Sequence, residues 1–156
     1  MTEAILELPP DLDGVADQWR AHIEKNIKIT MTIDVSKHVD GSTSTYVAAM
    51  DFMGDEVVRH TMYYAGQSGQ PRTRASLHKS ELKNCKTTTR IGKSQLYSRK
   101  YMTDVNAINI KFEVHEGGFT LEAAKNAEKA LSAELERLHG SEAVLTRPRG
   151  KKIKAQ

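Results

Sequence analysis

The residue types best suited to chemistry in this 156-residue chain gather in one stretch, Tyr63 to His78 (YYAGQSGQPRTRASLH). Tyr64 closes an apolar run, Gly66 lets the backbone turn away sharply, and Arg74 and His78 follow four residues apart. On a helix that spacing stacks the two side chains on one face. A guanidinium there can neutralise a phosphate oxygen, and the imidazole beside it can accept a proton or donate one to a leaving group. Spacing alone leaves open a plainer pair, an ordinary surface histidine next to an arginine clamp or salt-bridge partner.

A second feature lies near the C-terminus. With residues placed at 100° intervals from Leu121, Leu121, Ala124, Leu131, Leu135 and Leu138 share a stripe about 100° wide. Glu128 falls inside it, whereas Glu122, Glu134 and Glu136 point away from its centre. A carboxylate on an apolar face needs a partner, because an unpaired buried charge is costly. Either a divalent cation or a basic side chain at the edge of the core would serve.

Other candidates carry less. His22, His38, His60, His115 and His139 show no metal-ligand spacing, and Cys85 lacks a clear His–carboxylate set. The chain has no phosphate-binding loop, dinucleotide fingerprint or serine elbow.

The elements that must position these residues follow from periodicity and punctuation. Residues 1–12 read as an arm, and Val15, Trp19 and Ile23 give a short amphipathic helix. Ile27, Ile29, Met31, Ile33 and Val35 alternate with polar residues, as in a half-buried strand. Thr45 to Phe52 and Val57 to Tyr64 form a hairpin turning at Gly54-Asp55. Pro71 opens a helix running to about Lys83. Residues 84–104 read as a long loop, and Ile108, Ile110, Phe112 and Val114 mark a fourth strand broken at Gly117-Gly118. Thr120 caps a last helix that stops at Gly140. The order α-β-β-β-α-β-α implies one α+β domain with a small, mostly antiparallel sheet of three to four strands flanked by helices.

Charge is distributed in blocks. Residues 1–71 carry 5 basic and 11 acidic side chains, whereas residues 72–101 carry 9 basic and 1 acidic, Glu81. Residues 102–146 return to 4 basic and 8 acidic, and residues 147–156 carry 5 basic and none acidic. Two basic segments on an otherwise acidic chain suit a phosphate backbone, and equally a solvated loop with a basic tail. A lone cysteine excludes a disulfide framework and Cys-based zinc sites. No apolar run is long enough to span a membrane, and the first residues lack a signal-peptide pattern.

Taken together, these motifs resemble the GIY-YIG nuclease family, which includes homing, restriction, phage and repair endonucleases. STYV resembles the first family motif and places its tyrosine at Tyr46; YAG resembles the second, at Tyr64. Arg74 lies ten residues further on and His78 four more, both in the family's register. TLEAAKNAEKAL resembles the late family helix and puts its glutamate at Glu128, the residue already singled out by the apolar stripe. The likeness covers about residues 44 to 138 of the chain. Ser44-Thr45 replaces the Gly-Ile of the first motif and Ala65 the Ile of the second. The asparagine that often ends the family's region has no counterpart at Thr146-Arg147.

The resemblance implies a core at 44–146 with a three-stranded antiparallel sheet, preceded by an additional arm, helix and strand at 1–43 and followed by a basic tail at 147–156. It implies hydrolysis of DNA phosphodiesters with Mg2+ or Mn2+, one ion per active site, held by Glu128. Tyr46, Tyr64, Arg74, His78 and Glu128 would be the catalytic set. The two tyrosines, exposed on adjacent strands, would position the attacking water. One would act as base if the metal, Arg74 and Lys79 lowered its pKa from about 10. Lys79, Lys83, Lys86, Arg90, Lys93, Arg99, Lys100, Arg147, Arg149, Lys151 and Lys152 would hold DNA. Cutting both strands requires a homodimer, a higher homo-oligomer or sequential nicks. The expected location is the cytoplasm of a prokaryotic or phage-infected cell, without membrane attachment. A non-catalytic nucleic-acid-binding module with the same fold is the alternative.

Overall fold

Alternating apolar and polar residues build four strands, and helix signals before and after the last of them supply two helices. The computed structural model describes residues 27–83, 91 and 105–145. The expected N-terminal helix, nearly all of the 84–104 loop and the tail at 147–156 lie outside those residues. In order come β1 (Lys28–Asp34), β2 (Thr43–Gly54), β3 (Val57–Ser68), α1 (Pro71–Lys83), β4 (Ala107–Phe119) and α2 (Leu121–His139). A 3-10 turn at Ser141–Ala143 follows.

The four strands form one mixed sheet in the order β1-β4-β2-β3. β2 pairs antiparallel with both β3 and β4, and β1 adds parallel to β4. The strand expected at 27–35 therefore extends the sheet. Beyond β3, Leu145 N–H donates to the Tyr63 carbonyl at 2.7 Å, so the segment after α2 returns to that edge.

The hairpin differs in detail from expectation. Its two-residue turn is Asp55-Glu56, both left-handed (φ 53° and 66°), and the strands run longer on each side. Left-handed residues at both turn positions match the twist of paired strands. Gly117-Gly118 does not end β4, which continues to Phe119. Gly117 packs against the 36–39 turn, where an added Cβ would meet the Lys37 carbonyl. Gly118 takes a left-handed φ of 85°, beside a register irregularity in the pairing with β2.

Each face of the sheet carries one helix. Tyr46, Ala48 and Phe112 point toward α1 and meet Ala75. A larger cluster continues that layer with Met50, Phe52, Met62, Leu82, Ile91, Ile108 and Ile110. On the opposite face Leu131 and Leu135 of α2 meet Ala65, with Val47 and Tyr63 alongside. Burying side chains of this size contributes roughly 1.5–3 kcal/mol each, so the α1 layer supplies much of the fold's stability. Helix α2 starts as expected: Thr120 caps it by accepting from Ala123 N–H at 3.2 Å. It ends at Gly140, whose φ is 93° and whose N–H donates to the Glu136 carbonyl. The buried stripe is shorter than the sequence suggests. Ala124, Glu128, Leu131 and Leu135 are covered, while Leu121 and Leu138 are 57% exposed at the two ends, past the reach of the sheet. Among the described residues no helix is long and apolar enough to cross a membrane.

Candidate active site

Strand register brings the two tyrosines together. Tyr46 pairs with Gly66 and Ala48 with Tyr64, so the rings are diagonal neighbours on the α1-facing side, with centroids 6.3 Å apart. The missing side chain of Gly66 makes this possible. A Cβ there would land on the Tyr46 ring, touching Oη, Cζ and Cε2. The Tyr-x-Gly spacing thus has a steric reason: the glycine makes room for the tyrosine on the neighbouring strand.

A tight exit from β3 then places the helix. The Ser68 hydroxyl accepts from Gln70 N–H at 2.9 Å, Pro71 occupies the first helical position, and Arg74 N–H closes the first turn on the Gln70 carbonyl. This aims Arg74 and His78 back at the tyrosines. His78 Nε2 is 2.6 Å from the Tyr46 hydroxyl. Its ring lies edge-on to Tyr64 at 5.4 Å, and Phe112 stacks on Tyr46 at 4.4 Å from the other side. His78 Nδ1 is 3.0 Å from Glu81 Oε1, one helical turn further on. His78 is buried, which removes the surface-histidine alternative.

Burial and neighbouring charges set the protonation of Tyr46. The pKa of Tyr46 is raised well above the ordinary phenol value, chiefly by burial. The negative charges available to Tyr64 and Glu128 push it the same way, while the positive charge of Arg74 opposes them. Glu128 is buried on α2, on the opposite face of the sheet, and bears on Tyr46 only as a negative charge. The expectation that both tyrosines are exposed fails for Tyr46, which is 0% accessible. Strand alternation turns it under α1, and desolvation holds the free chain's phenol protonated. Tyr64 and Arg74 are each only partly buried.

Tyr46, Tyr64 and His78 thus meet on the α1-facing side with Arg74 one turn earlier on the same helix, whereas Glu128 lies on α2, which packs on the opposite face of the sheet. Sequence reasoning missed Glu81 as a member of the site and noted it only as the lone acid of a basic block. Its three-residue spacing from His78 was the available signal. Lys79 and Lys83 are exposed on α1, while Lys86, Arg90, Lys93, Arg99, Lys100, Arg147, Arg149, Lys151 and Lys152 lie outside the described residues. Among the described residues no group of three or more His, Cys, Asp or Glu could hold a metal. One buried carboxylate is the kind of donor set that suits Mg2+, which keeps water and borrows substrate phosphate oxygens. An open groove of about 430 Å³ beside the amino end of α1, where His38, Asp40 and Arg72 lie, includes none of the five expected catalytic residues. No protein-family model, no curated protein and no solved structure matches this chain.

Proposed function

We propose that the chain is a divalent-metal-dependent DNA endonuclease of GIY-YIG type that hydrolyses phosphodiester bonds. One observation carries the reading: Tyr46, Tyr64 and His78 meet on one face of the sheet, with His78 Nε2 2.6 Å from the buried Tyr46 hydroxyl and Arg74 one turn earlier on the same helix. A fold that merely accommodated these residue types would have no reason to bring all of them together.

The chain's own residues divide the work as follows. Arg74, partly exposed, neutralises charge building on the phosphate. Tyr64, only partly buried beside Tyr46, orients the attacking water. The water's proton passes to the Tyr46 oxygen as the Tyr46 proton passes to His78 Nε2. The hydroxide forms the new bond to phosphorus, the bond to the leaving oxygen breaks, and that oxygen takes a proton from solvent. A divalent cation, magnesium or manganese, held by Glu128 with phosphate oxygens and water, would polarise the phosphoryl group and stabilise the leaving oxygen. Basic residues of the 72–101 block and the tail supply the sequence-independent grip on DNA.

The test is incubation of purified protein with supercoiled and linear DNA, with magnesium or with chelator. Cleavage in magnesium alone is expected. Tight binding without cleavage in either condition assigns the chain to the non-catalytic alternative.

A further inference from the structure

The hydrogen bonds around Tyr46 have a direction, and it ends at a residue outside the expected catalytic set. An ionised carboxylate can only accept, so Glu81 Oε1, 3.0 Å from His78 Nδ1, draws the imidazole hydrogen to that nitrogen and leaves Nε2 bare. The phenol hydrogen therefore goes to His78 Nε2, at 2.6 Å. Each link fixes the next: Glu81 to His78, His78 to Tyr46.

Burial gives this order its force. Tyr46 is 0% exposed, His78 5% and Glu81 9%, so water is a poor substitute for any partner in the relay. The His78 ring is further held by Tyr64 on its edge and by Phe112, 6.3 Å away. A glutamate on an otherwise basic helix, turned inward beside a histidine, is poorly explained by surface charge balance alone.

We propose that Glu81 is a positioning residue that locks His78 in the Nδ1–H tautomer, leaving Nε2 to receive the Tyr46 proton. Once that proton has moved, the Glu81 carboxylate faces an imidazolium and stabilises it. Carboxylates oriented on the far nitrogen of a working histidine serve both purposes elsewhere in protein chemistry. The effect on cleavage rests on the nuclease reading of this site, whereas the tautomer does not.

The experiment therefore has two arms on the full chain. In the first, 15N spectra of the histidine rings assign the tautomer of His78, identified by the loss of its signals in His78→Asn. Wild type is expected to show Nδ1 protonated and Nε2 bare at neutral pH. Glu81→Leu, which removes the acceptor at similar volume, is expected to move hydrogen toward Nε2. In the second arm, single-turnover DNA cleavage in magnesium should fall by roughly 10²-fold in Glu81→Leu. The near-isosteric Glu81→Gln keeps an acceptor oxygen and the tautomer but loses the charge, and its rate should fall at least about tenfold. Glu81→Asp should recover part of the loss. A wild-type spectrum with Nε2 protonated overturns the proposal, even if Glu81→Leu fails to fold. So does a Glu81→Gln protein that cuts at the wild-type rate. Absence of cleavage by wild type would refute the nuclease reading, and the spectra would then decide the role of Glu81.

Discussion

Replacing Gly66 with alanine tests the contact on which the paired tyrosines depend. No left-handed backbone angle is involved at this position, so the effect is steric. The new Cβ would lie 2.5 Å from Tyr46 Cζ and 2.9 Å from Cε2. That ring has little freedom to yield, stacked 4.4 Å from Phe112 and bonded to His78. Overpacking of this kind costs about 1–3 kcal/mol. Pushing the phenol away from His78 leaves a buried nitrogen without its donor, roughly another 1–3 kcal/mol. Reduced freedom of the unfolded chain returns about 0.4–1 kcal/mol. The net expectation is a loss of about 2–4 kcal/mol, a fall in Tm of roughly 10 °C for a domain of this size. Urea and thermal melts would measure it, with Gly69→Ala as the control, since the nearest atom to a Cβ there is 3.8 Å away. Combining Gly66→Ala with Tyr46→Phe removes the crowded hydroxyl, so the double variant should be more stable than the sum of the single losses implies. A Gly66→Ala protein within about 0.5 kcal/mol of wild type would refute the steric account of the motif.

Three further outcomes follow from the same geometry. Because the pKa of folded Tyr46 is raised above that of the unfolded chain, its contribution to stability is full below about pH 10 and is lost as the pH rises above it. Ultraviolet titration should accordingly show no loss of a titrating phenol in Tyr46→Phe before alkaline unfolding. Glu128→Ala should fold yet lose magnesium-dependent cleavage, while Glu122→Ala, exposed on the same helix, cuts normally; melting and cleavage assays on both would show whether the carboxylate is functional. Reversing the charges of Arg90, Lys93, Arg99 and Lys100 should weaken DNA binding across all sequences and flatten its salt dependence, and an unchanged salt slope would place that segment away from DNA.

The legible parts of the fold were those where local chemistry and tertiary packing agree. Pro71, Thr120 and Gly140 marked helix ends that the structure keeps, and alternation at 27–35 marked a real strand. Arg74 and His78 were legible as a pair because helical spacing survives any tertiary arrangement. Glu128 was legible because a charge interrupts an apolar stripe. The misreadings arose where a distant segment decides. Gly117-Gly118 looks like a break, but close approach of the 36–39 turn explains its first glycine within a continuous strand. Leu121 and Leu138 fit the apolar stripe but extend past the sheet that covers its middle. Tyr46 has the alternation of a strand residue in either direction, and only the position of α1 puts it inside. Glu81 sat in a basic block whose net charge concealed a single inward-facing carboxylate.

The most direct test of the central claim is the single-turnover cleavage rate of Arg74→Ala beside its affinity for the same DNA in chelator. One phosphate contact among many adds little affinity, whereas a charge placed on the reacting phosphate adds much to transition-state stabilisation. The expected result is a folded protein that binds DNA within about tenfold of wild type and has lost cleavage by 10²-fold or more, a loss of roughly 2.7 kcal/mol or more in transition-state stabilisation. Cleavage by Arg74→Ala at the wild-type rate would contradict the assignment of this site as a phosphodiesterase.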